Sequence, residues 1–226
     1  MKTAAIIAAA GSGTRMGADK NKVLLEIRGR TVIGHTLAIF CSCKKIDEIV
    51  VVTRACDIDE CKKAAKNFSK PIKVIEGGKT RQESVYLGLS AAHGADLAVI
   101  HDGARALVTA EIIENTIAEA AAFGAAAAGV PSKDSLKKVG ADGFIAATID
   151  RDSAYMIQTP QIFDYKSIVS AHQSAIRDGF CATDDCALYE KYIGRVKVTP
   201  GSYDNIKLTT PGDMLFAAEI LKNREK

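Results

Sequence analysis

The stretch TAAIIAAAGSGTRMGADKNK, residues 3–22, decides the fold. Its first part, 3–10, is apolar with no polar alternation, and it runs straight into a loop with Gly11, Gly13 and Gly17 that ends in Lys20 and Lys22. A short unbroken apolar run suits a parallel strand covered on both faces. It is too short to cross a bilayer, and its direct passage into a glycine loop argues against a cleaved leader. A first strand is expected, in a soluble, cytoplasmic protein with no membrane partner.

Similar runs recur outward along the chain: EIVVVT (48–53), KVIE (73–76), LAVIH (97–101) and AAAAGV (125–130). Between them, 31–43, 57–68, 80–93 and 109–123 carry helical periodicity. Strand and helix in steady succession predict an α/β fold with a doubly wound, mostly parallel sheet. After Val130 the rhythm changes. PSKDSLKKVGADGFIAATIDRDSAYMIQTPQIF (131–163) has short runs around GADG and reads as a protruding β-hairpin arm, at about 131–158. Helical pattern resumes at 165–178 and 184–192, RVKVTPG (195–201) reads as a strand, and a closing helix has Pro211 near its start. With no repeats and no low-complexity linker, 1–226 is expected to be a single domain.

Composition narrows the function classes. A net charge of +3 with lysines dispersed among acids lacks the basic stripe of a nucleic-acid binder, so no nucleic-acid partner is expected. The six cysteines form no Cys-x-x-Cys pair and have no histidine at finger spacing, which disfavours structural zinc and favours reduced, mostly buried thiols.

In an open parallel sheet, ligands bind beyond the carboxyl ends of the strands, so Gly11 to Lys22 should line a site. A dinucleotide fingerprint would need glycine where Met16 stands, and no Gly-Lys-Ser/Thr phosphate loop is present. Two readings remain: a phosphate-facing loop carrying Arg15 and Lys22, or a tight turn with solvated cations. GGKTRQESV (77–85) opens a helix, and its first N–H groups either hold an anion or are simply capped. Asp102 ends a buried strand, where a carboxylate requires a partner, and Arg105 is a candidate. His101 reads as a structural histidine, and His35, His93 and His172 as surface or packing residues. No Ser-His-Asp or Cys-His constellation is evident.

The motifs taken together carry a resemblance. AAAGSGTRMGADKNKVLLEIRG (8–29) resembles the signature loop of nucleotidyltransferases that activate sugar and polyol phosphates. HDGARALV (101–108), SKDSLKKV (132–139), IDRDSAYMIQTPQIF (149–163), ATDDCALYE (182–190) and GSYDNIKLTTPGDM (201–214) follow in the order of one family. That family is 2-C-methyl-D-erythritol 4-phosphate cytidylyltransferase. The resemblance implies a nucleotide-diphospho-sugar transferase-like fold whose arm supports a homodimer. It implies a reaction of CTP with 2-C-methyl-D-erythritol 4-phosphate, giving 4-diphosphocytidyl-2-C-methyl-D-erythritol and pyrophosphate in the non-mevalonate pathway, with Mg2+.

Carried over by motif, Arg15, Lys22 and Lys207 are the catalytic cations. Lys207 taken alone would read as an edge-strand lysine kept for solubility. The nucleotide is assigned to Ala9, Ala10, Gly11, Gly13, Gly78, Ser84 and Gly103, and the second substrate to Asp102, Arg105, Ser135, Arg151 and Thr159. In the family, the counterparts of Ser135 and Arg151 come from the partner subunit. Metal ligands stay open, with Asp102 a candidate through water. The chain departs from the family pattern at Asn21, where proline is usual, at Lys79, at Gly103 and Ala106, and at Ser135, where threonine is usual; Asn21, Gly103 and Ala106 are expected to loosen their loops. Two alternatives stand beside this reading: a ribitol 5-phosphate cytidylyltransferase, and a non-catalytic nucleotide-binding relative.

Overall fold

The computed structural model of the chain describes residues 1–11 and 21–224. β1 (Thr3–Ala8) is followed by a short ribbon of β2 (Glu26–Ile27) and β3 (Arg30–Thr31), then by α1 (Val32–Ser42). The alternation continues through β4 (Glu48–Thr53), α2 (Ile58–Ala65), β5 (Ile72–Glu76), α3 (Arg81–Ala91), β6 (Leu97–Asp102), α4 (Ala110–Phe123) and β7 (Ala125–Pro131). A hairpin of β8 (Lys137–Val139) and β9 (Ile145–Thr148) comes next. β10 (Tyr155–Asp164), α5 (Tyr165–Arg177), α6 (Asp185–Tyr192), β11 (Lys197–Pro200) and α7 (Pro211–Arg224) complete the chain.

Seven strands form one sheet in the order β11-β7-β10-β6-β1-β4-β5. β1 is parallel to both β4 and β6, β4 to β5, and β11 to β7. Only β10 runs against its neighbours in this sheet, so the sheet is mixed but mostly parallel, as the sequence predicts. Side-chain alternation explains the unbroken apolar run of β1. Ala4 and Ile6 pack with Val85 and Leu89 of α3 and Ile168 of α5, while Ala5 and Ile7 pack with Leu37 and Phe40 of α1 and Ile113 of α4. Both faces are covered, and Ala4, Ala5, Ile6 and Ile7 are all fully buried.

Helix starts follow local chemistry. The side chains of Thr31, Thr80, Thr109, Asp164 and Asp184 each accept a bond from a backbone N–H of the helix they precede. Gly88 sets how closely α3 lies on the sheet: a Cβ there would stand 2.5 Å from Ile6 Cγ2 and 2.8 Å from Val52 Cγ2. Among the described residues, no helix is long and apolar enough to cross a membrane.

The segment read as one excursion divides in two. β8 and β9 pair only with each other, and all of their residues are exposed. From Gln158 onward the chain is buried between β6 and β7 as part of β10. Its polar residues obscured that strand in the sequence, because they are buried with hydrogen-bond partners instead of facing solvent.

Candidate active site

Ala8 lies level with Asp102 on the adjacent parallel strands β1 and β6, so the two strands open side by side where the glycine loop departs. Beyond them is a cavity of about 390 Å³. Ala8, Ala9, Ala10 and Gly11 line it from the end of β1, and Gly78, Lys79, Thr80, Arg81 and Ser84 from the start of α3 and the turn before it. Asp102 and Ala104 contribute from the end of β6, Lys22 and Val23 from a 3-10 turn, and Lys207 and Thr209 from a loop. Among the described residues, four cations against one carboxylate suit the cavity to an anion.

Alternation along β6 sends its last two side chains to opposite faces. His101 returns to the α1 face, its ring centroid 4.9 Å from that of Phe40. Asp102 turns toward α3, where its Oδ1 accepts from Arg81 Nε at 3.2 Å and its Oδ2 from Lys207 Nζ at 2.7 Å. Burial alone would push the Asp102 carboxyl up, but Arg81 and Lys207 outweigh it and hold the group well below the usual carboxylate range. Arg81 also donates from Nη1 to Asp185 Oδ2 at 2.7 Å, and the other oxygen of Asp185 meets His172 Nε2 at 3.2 Å. Arg81 thus joins Asp102, the one carboxylate among the described residues that line the cavity, to a second, fully buried one. Arg81 and Asp185 escaped the sequence reading. The available signal was the need of two buried acids for a common cation.

His101 is the structural residue expected. Nε2 faces the Arg105 carbonyl at 3.1 Å, so it carries the proton, and Nδ1 is left to accept from Thr159 Oγ1 at 3.0 Å. The Thr159 hydroxyl in turn accepts from the Asp102 N–H at 3.0 Å. Burial pushes His101 down to about 4, keeping it neutral. Thr159, assigned above to the substrate, is buried with its hydroxyl engaged in this chain, and it supports Asp102 from beneath.

The turn before α3 is capped from within. Glu83 Oε2 accepts from the N–H groups of Lys79 and Thr80 at 2.7 and 3.3 Å, and Thr80 Oγ1 accepts from Glu83 N–H at 3.1 Å. Those donors are therefore not available to an anion, and simple capping describes them. Ser84 Oγ ties the turn together, accepting from Gly78 N–H at 3.1 Å and donating to the Thr80 carbonyl at 2.8 Å. Gly78 must be small, since a Cβ would stand 2.5 Å from that of Glu83.

Lys207 lies in a loop, not on an edge strand. That loop is fastened by Asn205, whose Nδ2 donates to the Thr159 carbonyl at 3.0 Å and to Gln158 Oε1 at 3.1 Å. Arg105 Nη1 donates to the Asn205 carbonyl at 2.6 Å. This corrects the expected pairing of Arg105 with Asp102: Arg81 and Lys207 hold the carboxylate, and Arg105 holds the loop.

Asn21 also differs from expectation. It is fully buried, donating from Nδ2 to the Ala9 carbonyl at 2.9 Å and to Asp57 Oδ2 at 2.8 Å, and it caps the 3-10 turn Lys22–Leu24. At this position the departure from proline adds anchors.

The cavity brings together Ala9, Ala10, Gly11, Lys22, Gly78, Ser84, Asp102 and Lys207 as expected from sequence. Gly103 is turned away, its N–H on the Ala8 carbonyl at 2.9 Å and its own carbonyl accepting from Thr36 Oγ1 at 3.1 Å. These two anchors hold Gly103 in place rather than loosening it, and Ala106 is likewise buried in the core under α1 and α4. Ser135 and Arg151 are exposed on the arm and do not line the cavity of their own chain. Arg15 and Gly13 lie outside the described residues. For a metal, the described residues offer no cluster of three or more ligating side chains, and both Asp102 oxygens already face cations.

The sequence model of the family described as 2-C-methyl-D-erythritol 4-phosphate cytidylyltransferase matches residues 3–223. A protein of that name from Clostridium novyi is 41% identical over 225 residues, covering 98% of this chain and 97% of the relative. Another, from Caldanaerobacter subterraneus, is 42% identical over 226 residues, covering 98% of this chain and all of the relative. The crystal structure of a 4-diphosphocytidyl-2C-methyl-D-erythritol synthase from Anaerococcus prevotii superposes with a TM-score of 0.89 at 36% identity, covering 98% of this chain and 96% of that one.

Proposed function

This chain belongs to the 2-C-methyl-D-erythritol 4-phosphate cytidylyltransferase family, and from that premise we propose how its cavity performs the reaction. The protein is a nucleotidyltransferase of isoprenoid biosynthesis that transfers the cytidylyl group of CTP to 2-C-methyl-D-erythritol 4-phosphate, releasing pyrophosphate. The observation that carries the assignment of roles is the meeting of the β1 end with Lys22, Lys207 and Asp102 around one cavity.

The attacking group is a phosphate oxygen, ionised at neutral pH, so no general base is needed. It forms a new P–O bond to the α-phosphorus of CTP as the bond to pyrophosphate breaks. The barrier is the approach of two anions and the charge that gathers on the phosphoryl oxygens and the leaving group. Fixed cations lower it most effectively. The cytosine lies against Ala9, Ala10, Gly78 and Ser84, and the triphosphate passes over Gly11 toward Lys22, with Arg15 and Gly13 of the same loop assigned to it by motif. Asp102 accepts from the polyol hydroxyls, and Lys207 serves the second substrate's phosphate. Because Asp102 is paired with Arg81 as well, Lys207 can turn to a phosphate without leaving a buried charge alone.

The arm completes the substrate site across a homodimer. Val139, Phe144, Ile145 and Ile149 are all exposed, which favours burial against a second copy, and Ser135 and Arg151 then reach the partner's cavity. On this reading 1–226 is one nucleotidyltransferase domain with its arm, acting in the cytoplasm. A magnesium ion would be brought by the triphosphate, and Asp102, through water, would be the residue of this chain to hold it. It would supply positive charge.

The test is pyrophosphate release with CTP and, in parallel, 2-C-methyl-D-erythritol 4-phosphate or ribitol 5-phosphate. Strong preference for the first is expected. Equal or better turnover of ribitol 5-phosphate would overturn the substrate choice, and CTP binding without turnover of either would point to a non-catalytic relative.

A further inference from the structure

Asn21 sits immediately before the phosphate-facing Lys22, and its surroundings form a closed set. Its amide group faces two acceptors, the Ala9 carbonyl and Asp57 Oδ2, at 2.9 and 2.8 Å. Its Oδ1 accepts from Val23 N–H at 3.3 Å, which fixes the amide orientation and makes asparagine, not aspartate, the residue that fits. Asp57, nearly buried before α2, is gripped by Arg54 through two bonds, Nε to Oδ2 at 2.6 Å and Nη2 to Oδ1 at 3.1 Å. Ala9 is held from its other side as well, its N–H donating to the Val52 carbonyl at 2.8 Å. A proline at position 21 could make none of the side-chain bonds, so the fork of Arg54 on Asp57 would end short of the cavity.

We infer that Arg54, Asp57 and Asn21 form a positioning relay that fixes Lys22 against the Ala9–Ala10 wall before the nucleotide arrives. The relay starts in the second β-α unit, on Arg54 just after β4, and ends on the backbone on either side of Lys22. None of its three members lines the cavity. They act through Lys22, so the inference rests on the role of Lys22 proposed above. Rigid placement of a charged group is worth a large factor in rate, because misplacement by about 1 Å can cost on the order of 100-fold.

A double-mutant cycle separates this relay from a merely structural contact. Wild type, Asn21→Ala, Lys22→Ala and the double variant are compared for kcat and KM with CTP and with 2-C-methyl-D-erythritol 4-phosphate, and thermal unfolding is followed for each. Asn21→Ala should lower kcat by about 10- to 100-fold and leave KM for the polyol phosphate unchanged. The double variant should be no slower than Lys22→Ala within about twofold, since nothing is left to position. Losses that multiply in the double variant, or wild-type kcat in Asn21→Ala, would overturn the relay. If Lys22→Ala itself is as active as wild type, the role of Lys22 fails first, and the relay with it. Should Asn21→Ala fail to fold, Asp57→Asn replaces it in the same cycle. That variant keeps an acceptor for Asn21 but loses the charge that Arg54 grips, and its smaller loss of kcat should likewise vanish when Lys22 is absent.

Discussion

The cavity and the arm treat water in opposite ways. Around the cavity, charge is taken out of water and paired: Asp102 is held by two cations and Asp185 by Arg81 and His172. On the arm, apolar side chains are left in water, with Phe144 75% and Ile145 64% exposed. Burying charge is costly unless partners are fixed in advance, so the cavity's geometry is set within one chain. Exposed apolar surface costs as well, and a second copy of the arm would relieve it. In the proposed homodimer the cavity is the work of one subunit and the arm the contribution of its neighbour. Each prediction below tests that division.

The largest effect should come from within the cavity. On the proposed roles, Lys22→Ala removes a cation from the place where charge develops, and donors of this kind are worth about 2.7–4 kcal/mol, or 10²–10³ in kcat. The unfolding midpoint should stay close to wild type, because within the 3-10 turn Lys22–Leu24 it is Val23, not Lys22, that packs in the core. Pyrophosphate release at near-normal rate would remove Lys22 from the mechanism.

The next effect belongs to the arm. Arg151→Ala should raise KM for 2-C-methyl-D-erythritol 4-phosphate and leave CTP affinity nearly intact, since a charge-assisted bond to phosphate is worth about 1.5–3 kcal/mol. Mixing this variant with Lys22→Ala tests which subunit supplies which residue. If each site takes Lys22 from one chain and Arg151 from the other, every mixed dimer holds one site with both defects and one with neither. Free exchange should then restore up to about a quarter of wild-type activity, from two-fold symmetry with independent sites. No recovery among demonstrated heterodimers would place Arg151 in its own subunit's site or outside it, and the division between cavity and arm would be lost.

What could be read in advance follows the same line. The strands of the sheet's core were legible because burial on both faces leaves continuous apolar runs, and the cavity's wall because ligands meet parallel strands at their carboxyl ends. β10 was only half legible, since Gln158, Thr159 and Gln161 are polar yet buried. Arg81 was invisible for a different reason: its partner Asp185 is 104 positions away, and an arginine opening a helix looks like any solvated one. Asn21 misled because a missing proline is visible in sequence while Asp57, 36 positions on, is not visible as its partner. Local chemistry could be read directly, but long-range pairing of polar groups needed the fold.

The smallest effect should appear only below neutral pH, and it tests whether the cavity's burial is as complete as its geometry implies. His101 is neutral in the fold, where burial pushes it down to about 4; the bond to the Arg105 carbonyl and the nearby Asp102 oppose that push, and the charges of Arg105 and Arg81 add to it. The unfolded chain, with an ordinary histidine near 6.5, binds the proton first as pH falls. Unfolding is therefore favoured progressively from about pH 6.5 down to about 4, and above 6.5 the group contributes no slope. At pH 5 the loss from this residue should be about 2 kcal/mol, following from 1.36 kcal/mol for each pH unit crossed. The paired carboxylates have the opposite history, since their depressed values keep them charged until the pH falls well below the histidine range, so the two contributions separate along the pH axis. The direct measurement is the NMR titration of the His101 ring protons, which should stay flat between pH 7.5 and 5. A midpoint between 6 and 7 would mean that water reaches the ring, that the bond from Thr159 to Nδ1 is not kept, and that Asp102 lacks the rigid support beneath it on which the contrast with the arm depends.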